Sequence, residues 1–527
     1  MLNTPRARRG MVTSPHHLAS EAGLRVLREG GNAIEATVAM AAALAVVYPH
    51  MTGIGGDGFW LVAAPGAAPI GIEGCGGAAL AAEPALYMRR GYATIPWRGP
   101  LAANTVAGTL SGWGEVLASS AELGGRLPLA RLVEDAAWHA EHGFAVTASQ
   151  AELTAAKLAE IEDAPGFADT FLIDGRPPRE GELMRLPALG ATLRRLGRTG
   201  VEDFYRGELA REVAAELMRL GAPVSAEDLA RHRARRRRPL QAAVRGAVLS
   251  NFPPPTQGLA SLMILALFDR LGVSEPEGFA HVHGLVEATK RAFRVRDRIV
   301  GDPDAMPEPA EAYLRPAVLD RLAAEIGPAA LPWPAPPDAG DTVWLGAVDE
   351  QGLAVSFIQS LYFEFGSGCV LGNGILWQNR GASFSLEGDG PRRLAPGRKP
   401  FHTLNPALAR FDDGRVMVYG TMGGEGQPQT QSAVFSRYAL FGEGLQDSVT
   451  APRWLLGKTW GEDSVTLKLE SRFDPALVAA LREAGHDVEL LPPFTSTMGH
   501  AGAIVRRPDG VLEGAADPRS DGASLGF

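Results

Sequence analysis

"GDTVWLGAVDEQGLAVSFIQS", residues 340–360, is the stretch on which the fold of this chain turns. Two runs of strand character, 342–348 and 353–360, flank Asp349-Glu350-Gln351-Gly352, a pattern that predicts a β-hairpin. A proline-rich segment, "LPWPAPPDAG" (331–340), runs into it and stops at Asp341-Thr342. A surface loop entering a sheet reads this way, and so does a chain severed there, with Thr342 as a new N-terminus. An N-terminal threonine carries a hydroxyl nucleophile and its own base, because an α-amino group titrates at about 7.7–8.0 and can accept the hydroxyl proton. Folding the hairpin back brings Ser360 near Thr342, and the register decides whether the two side chains share a face.

Working outward, the chain divides at this motif. The part before it is helix-rich: two helices within 19–48 broken at Gly30-Gly31, with Asn32 as N-cap of the second. The glycine-rich turn "TGIGGDGFWLVAA" (52–64) leads into a strand, helical periodicity dominates from about 109 to 235, and a further amphipathic helix ends at Gly301. The part after it is strand-rich, with runs at 342–348, 353–360, 373–379, 403–411, 415–420 and 466–470, and helices at 430–442 and 474–484.

Composition bounds the function. The chain has 527 residues, 46% hydrophobic and 21% charged, as expected of a soluble folded protein. A net charge of −9 lends no support to a nucleic-acid or membrane-surface role. Two cysteines, Cys75 and Cys369, make no disulfide framework and suit a reducing compartment. The N-terminus lacks the apolar core of a signal peptide. The most apolar window, residues 33–48, contains Glu35 and is shorter than the roughly 20 residues a membrane span needs. It reads as a buried helix, and the protein as cytoplasmic.

Three further segments invite chemistry. "GRVMVYGTMGGEGQPQTQSAVFSRYALF" (414–441) reads strand, glycine loop, helix, an order that aims backbone N–H groups at an anion. A nucleotide site, an oxyanion hole at Gly423 and Gly424, and a plain tight turn all fit, but no nucleotide fingerprint is present. "RHRARRRRP" (231–239) is the one basic run; with no aromatic or fold support nearby it reads as a solvated helix end, the alternative being a non-catalytic nucleic-acid binder. The close histidine pairs, His16-His17, His139/His142 and His281/His283, lack the spacing or cysteine companions of a metal site, so no catalytic metal is expected.

Taken together, residues 10–62, "HVHGLVEATKRAFRVRDRIVGDPD" (281–304), "GDTVWLGAVDEQGLAVSFIQS", "YGTMGGEGQPQ" (419–429) and "GAADPRSDGASLGF" (514–527) resemble the gamma-glutamyltranspeptidase family, in the family's order. The resemblance implies an N-terminal-nucleophile hydrolase, a four-layer αββα sandwich made as a precursor that cleaves itself. Carried onto this chain, the cut falls between Asp341 and Thr342, giving subunits 1–341 and 342–527, with a dimer of such processed heterodimers as one possible assembly. Thr342 is then the nucleophile, Ser360 replaces a supporting threonine, and the Gly423 and Gly424 amides hold the oxyanion. No cofactor is implied.

The implied substrate pocket departs from the family. Cys75, in "IEGCGGAA", stands where an arginine grips the glutamyl carboxylate, and Ser383, in "LWQNRGASF", where an aspartate holds the ammonium. Arg380 replaces a glutamine, Tyr362 an asparagine, and His402-Thr403 a pair of serines. Without that aspartate a buried ammonium has no partner. The pocket therefore suits a small amide with a carboxylate and no α-amine, anchored by Arg380 with His402 and Thr403. These departures resemble the oxamate amidohydrolase branch. A γ-glutamyl hydrolase or transferase acting on glutathione-like substrates, and a glutaryl-type acylase, are the alternatives.

Overall fold

The computed structural model describes residues 2–333, 341–457 and 464–527. The proline-rich lead-in from 334 to 340 lies outside them. Two seven-stranded antiparallel sheets form the centre. The first runs Ala523–Gly526, Gly10–Ser14, Asp341–Asp349, Ala354–Tyr362, Asp57–Ala63, Ile70–Gly74, Arg235–Arg237. The second runs Arg6–Ala7, Leu512–Ala516, Ala501–Arg506, Val416–Thr421, Ala407–Phe411, Ala247–Asn251, Leu240–Val244.

Alternation along the predicted hairpin generates the layers, because successive strand residues face opposite ways. Val343, Leu345, Ala347, Val355 and Phe357 join the apolar cluster of helices His17–Arg28 and Ala33–Val47. Their neighbours Trp344, Val348, Ala354 and Ile358 meet Leu408, Val418 and Ile504 of the second sheet. The far side of that sheet, through Ala409, Met417 and Ala503, packs on helices Gly258–Arg270 and Phe279–Ile299. Three apolar layers separate four structural ones, which makes the αββα sandwich.

Helix Ala33–Val47 is buried along its whole length, as an all-round apolar helix must be. Its one acid serves its start: Asn32 Oδ1 accepts the Glu35 N–H at 3.1 Å, and Glu35 Oε2 accepts the Asn32 N–H at 2.9 Å, a capping box.

The structure departs from expectation in three places. The run 373–379 is not a strand; Gly374 takes a φ of 79° and the segment makes only isolated bridges, Gly55 to Trp377 and Val370 to Leu376. The helix expected over 430–442 spans Gln427–Phe435 and continues as a π-turn, Ser436–Leu440. The arginine run is not simply a helix end, since the helix stops at Arg231 and Arg235–Arg237 pairs with Ile70–Gly74 as an edge strand. The helix-rich and strand-rich parts form one body, because each sheet takes strands from both sides of Thr342.

Trp344 fills the gap between the sheets. Its Nε1–H donates to Ser356 Oγ at 2.9 Å, and Gly420 and Gly502 make room for it: a Cβ there would lie 2.2 and 2.5 Å from its ring. Trp344→Ala should therefore cost about 3–5 kcal/mol, seen as a lowered thermal unfolding midpoint; an unchanged midpoint would contradict this account of the inter-sheet core.

Candidate active site

The hairpin is regular from Val348 opposite Ala354 to Val343 opposite Gln359, and then slips. Asp341 pairs with Tyr362, so Thr342 alone stands against both Ser360 and Leu361. This is a β-bulge, a device that re-aims side chains and is common beside active sites. Leu361 and Val343 belong to the helix-side core, so alternation puts Thr342 and Ser360 on the inter-sheet side with Trp344. Both are buried. Ser360 Oγ accepts the Tyr362 N–H at 2.8 Å. Tyr362 leaves the strand at a φ of 88°, a strained value for a residue with a Cβ, and its ring lies 3.9 Å below the guanidinium of Arg380.

Arg380, in the short turn Arg380–Ser383, is fully buried. It has one hydrogen bond, Nη1 to Thr403 Oγ1 at 3.4 Å, while Nε and Nη2 lack any hydrogen-bond partner among the described residues. Burial lowers its pKa to about 10, with Tyr362, Asp57 and Cys75 opposing, so it stays charged at neutrality. Ser383 closes the turn, donating to the carbonyls of Arg380 and Phe401 at 2.9 and 3.1 Å. Trp377 lies in the helix-side core and Trp344 between the sheets, whereas the Tyr362 ring reaches Arg380.

The glycine loop follows strand Val416–Thr421. Gly423 and Gly424 take φ values of 114° and 49°, a conformation that favours glycine, just before helix Gln427–Phe435. Gln257, which sequence reading missed, ties this loop to the pocket: its Nε2–H₂ donates to the carbonyls of Gly424 and Thr403 at 2.8 and 2.7 Å. Gln257 Oε1 accepts from Arg296 Nη1 at 2.9 Å, and Arg296 ion-pairs with Glu425. Burial pushes the Glu425 carboxyl up to about 7, against the pull of Arg296.

Asp57 was missed as well; it is a buried acid close to His402, distinct from the aspartate position that Ser383 occupies. It lies opposite Ser360 in the sheet, its Oδ1 accepting the N–H groups of Gly108 and Gly76 at 2.9 and 3.3 Å. Its Oδ2 is 3.3 Å from His402 Nε2, which is also 2.9 Å from Cys75 Sγ. His402 is thus engaged at Nε2, while Nδ1 has no partner among the described residues. Burial lowers the His402 pKa well below its usual value and raises that of Cys75, so both are neutral. A lone acid between glycines in "GIGGDGFW" was the available signal for Asp57.

The ligand atoms of Asp57, Cys75 and His402 lie within 4.8 Å of one another and could hold a metal ion, although the nearby positive charges of Arg380 and Lys399 disfavour one. A second such group, His283, Glu287 and His486, is already satisfied: the histidines hydrogen-bond at 2.9 Å, and Glu287 pairs with Lys290 and Arg291 at 2.8 and 2.9 Å.

With this geometry in place, the comparisons are specific. The model of the gamma-glutamyltranspeptidase family matches residues 19–527. The chain belongs to this family. It is 56% identical over 521 residues to the oxamate amidohydrolase proenzyme of Klebsiella pneumoniae, and 39% identical over 521 residues to the glutathione hydrolase-like YwrD proenzyme of Bacillus subtilis, covering 98% of each chain in both cases. The crystal structure of cephalosporin acylase from Bacillus halodurans matches 100% of this chain and 97% of its own with a TM-score of 0.92 at 33% identity. The fold is that of the N-terminal-nucleophile hydrolases, and the chain is a hydrolase of the gamma-glutamyltranspeptidase family. No helix among the described residues is long and apolar enough to cross a membrane.

Burial raises the pKa of Asp57 from 3.8 to about 7. The folded state therefore keeps a proton that the unfolded state has released, and stability falls as pH rises from about 4 through 7. Asp57→Asn should remove that component, so the gap between wild-type and variant unfolding midpoints should shift across this range. A pH-independent gap would show that Asp57 does not titrate there.

Proposed function

We propose that the chain is made as a precursor, cleaves itself between Asp341 and Thr342, and hydrolyses the amide of a small carboxylate-bearing acid of the oxamate type, releasing ammonia. One observation carries the substrate class: a buried, charged Arg380 with two donor positions unfilled by the described protein. A planar fork of this kind takes a carboxylate in bidentate fashion, and a buried donor left unmade is costly. The relationship to a protein named oxamate amidohydrolase supports the same choice.

In the uncleaved chain the Thr342 nitrogen is an amide, with Asp341 paired to Tyr362 in the strand. Attack by the Thr342 hydroxyl on the Asp341 carbonyl carbon, then hydrolysis of the resulting ester, frees the amine. In turnover, Arg380 and Thr403 hold the substrate carboxylate beside the aromatic face of Tyr362, with His402 as the neighbouring polar wall. The Thr342 hydroxyl passes its proton to its own amine and attacks the amide carbon. The N–H groups of Gly423 and Gly424 stabilise the tetrahedral oxyanion, one such donor being worth about 3–4 kcal/mol. The C–N bond breaks, the leaving nitrogen takes the proton held by the amine, and ammonia departs. Water then adds to the acyl-threonine ester by the same route and releases the acid. Ser360, across the bulge, supports the nucleophile.

One observation favours a second reading. Asp57 offers a carboxylate oxygen that an α-ammonium could use, as in a γ-glutamyl hydrolase or transferase. Its raised pKa weakens that reading, because near neutrality much of it is uncharged.

Thr342→Ala should leave a single polypeptide by intact mass and abolish ammonia release; an alanine variant that still matured would refute the nucleophile. Across oxamate, glutamine, glutathione and glutaryl amides, kcat/KM should be highest for oxamate. Arg380→Lys should raise its KM by about 10- to 100-fold. Faster release of glutamate from a γ-glutamyl anilide would instead establish the second reading.

A further inference from the structure

The arginine run 231–239 has no part in the mechanism above, yet it is not scattered over the surface. A cavity of about 480 Å³ is lined by Arg231, Arg233 and Arg235 from the run, by Lys399 from the segment before His402, and by Cys75. The arginines are exposed, whereas Cys75 is 1% exposed, so they mark its mouth and Cys75 its inner end. Cys75 Sγ is 2.9 Å from His402 Nε2, and the adjacent Thr403 accepts from Arg380. The cavity thus ends one side chain short of the candidate substrate pocket.

Positive charge exceeds negative along this cavity. Arg233 Nη1 donates to the carbonyls of Ala230 and His232 at 2.7 Å each, neutral acceptors that leave its charge unbalanced. Arg235 has no carboxylate partner among the described residues. Arg231 faces Glu227 at 3.2 Å, an exposed pair of little strength. Lys399 pairs with Glu73, but Glu73 is shared with Arg237 at 2.8 Å. The one acid in the lining, Asp228, accepts the N–H groups of Leu80 and Ser225 at 2.8 Å each and the Ser225 hydroxyl at 2.6 Å. Charged side chains do guard strand edges against aggregation. That role explains arginines on an edge strand; it does not explain a cavity where they converge with a lysine from a distant segment above a buried thiol.

We propose that this cavity binds small carboxylate anions and passes them inward, the Arg231, Arg233 and Arg235 cluster concentrating them at the mouth and Cys75 marking the end nearest Arg380. A cleft lined by one sign of charge raises the local concentration of the opposite ion. The proposal rests on the reading of Arg380 as a carboxylate anchor, but its test does not need turnover.

The full-length protein is treated with iodoacetate, which is anionic, or iodoacetamide, which is neutral, and alkylation of Cys75 is followed by peptide mass. Both reagents meet the same thiolate fraction in any one sample, so the change of their rate ratio between samples reports the electrostatics of the approach. The ratio should fall about three- to tenfold in the Arg233→Gln/Arg235→Gln variant and in high salt; the iodoacetamide rate carries whatever change the thiolate fraction undergoes. A ratio that neither change moves overturns the proposal. If the ratio falls although oxamate is not hydrolysed, the anion passage stands and only the substrate assignment fails.

Discussion

One extra residue, set into the strand Ala354–Tyr362 opposite Thr342, governs the geometry of this site. Up to Val343 the hairpin obeys the strict alternation that splits its side chains between two apolar layers. A regular ladder would have carried Tyr362 onward in the plane of the sheet. The slip lets the chain turn out at a positive φ, lays the Tyr362 ring against Arg380, and leaves Ser360 beside Thr342 on the side facing the second sheet. The strand that pairs with Thr342 and the separate segment of Arg380 come together through Tyr362 because the pairing fails at that one point.

Around this point the protein buries an unusual amount of charge. Arg380, Asp57, Arg296 and Glu425 are all fully or almost fully enclosed. Burying an ion pair seldom adds net stability, while removing one partner is expensive, so such groups fix positions more than they add cohesion. The Glu425–Arg296–Gln257 series does this for the glycine loop. Through one amide it clamps Gly424 and Thr403, so the loop that carries the candidate oxyanion donors and the segment of His402 and Thr403 share a single support. Arg380 is held from one face by an aromatic ring and keeps two donor positions unfilled among the described residues.

What the sequence made legible was local. The hairpin, the Asn32 cap and the all-apolar helix follow from turn chemistry and periodicity within a few residues, and the glycine pair announced its backbone conformation. The segment 373–379 misled because buried apolar residues look strand-like whether or not a ladder partner exists, and Gly374 breaks the run. Gln257 gave no signal, and Asp57 only a lone acid among glycines, for another reason. Their partners, His402 and Gly424, are hundreds or scores of positions away, and neither residue belongs to a pattern with a period. The arginine run was legible as charge but not as a cavity wall, since Lys399 and Cys75 come to it from remote parts of the chain.

Interleaving of the two segments in both sheets has a mechanical consequence. With the backbone opened ahead of Thr342, the pieces would still be sewn together by rungs of hydrogen bonds along several seams. They would migrate as one particle in any gentle separation. Once unravelled by denaturant, however, they would have to find each other again by diffusion, so recovery would depend on protein concentration in a way that folding of the uncut chain does not.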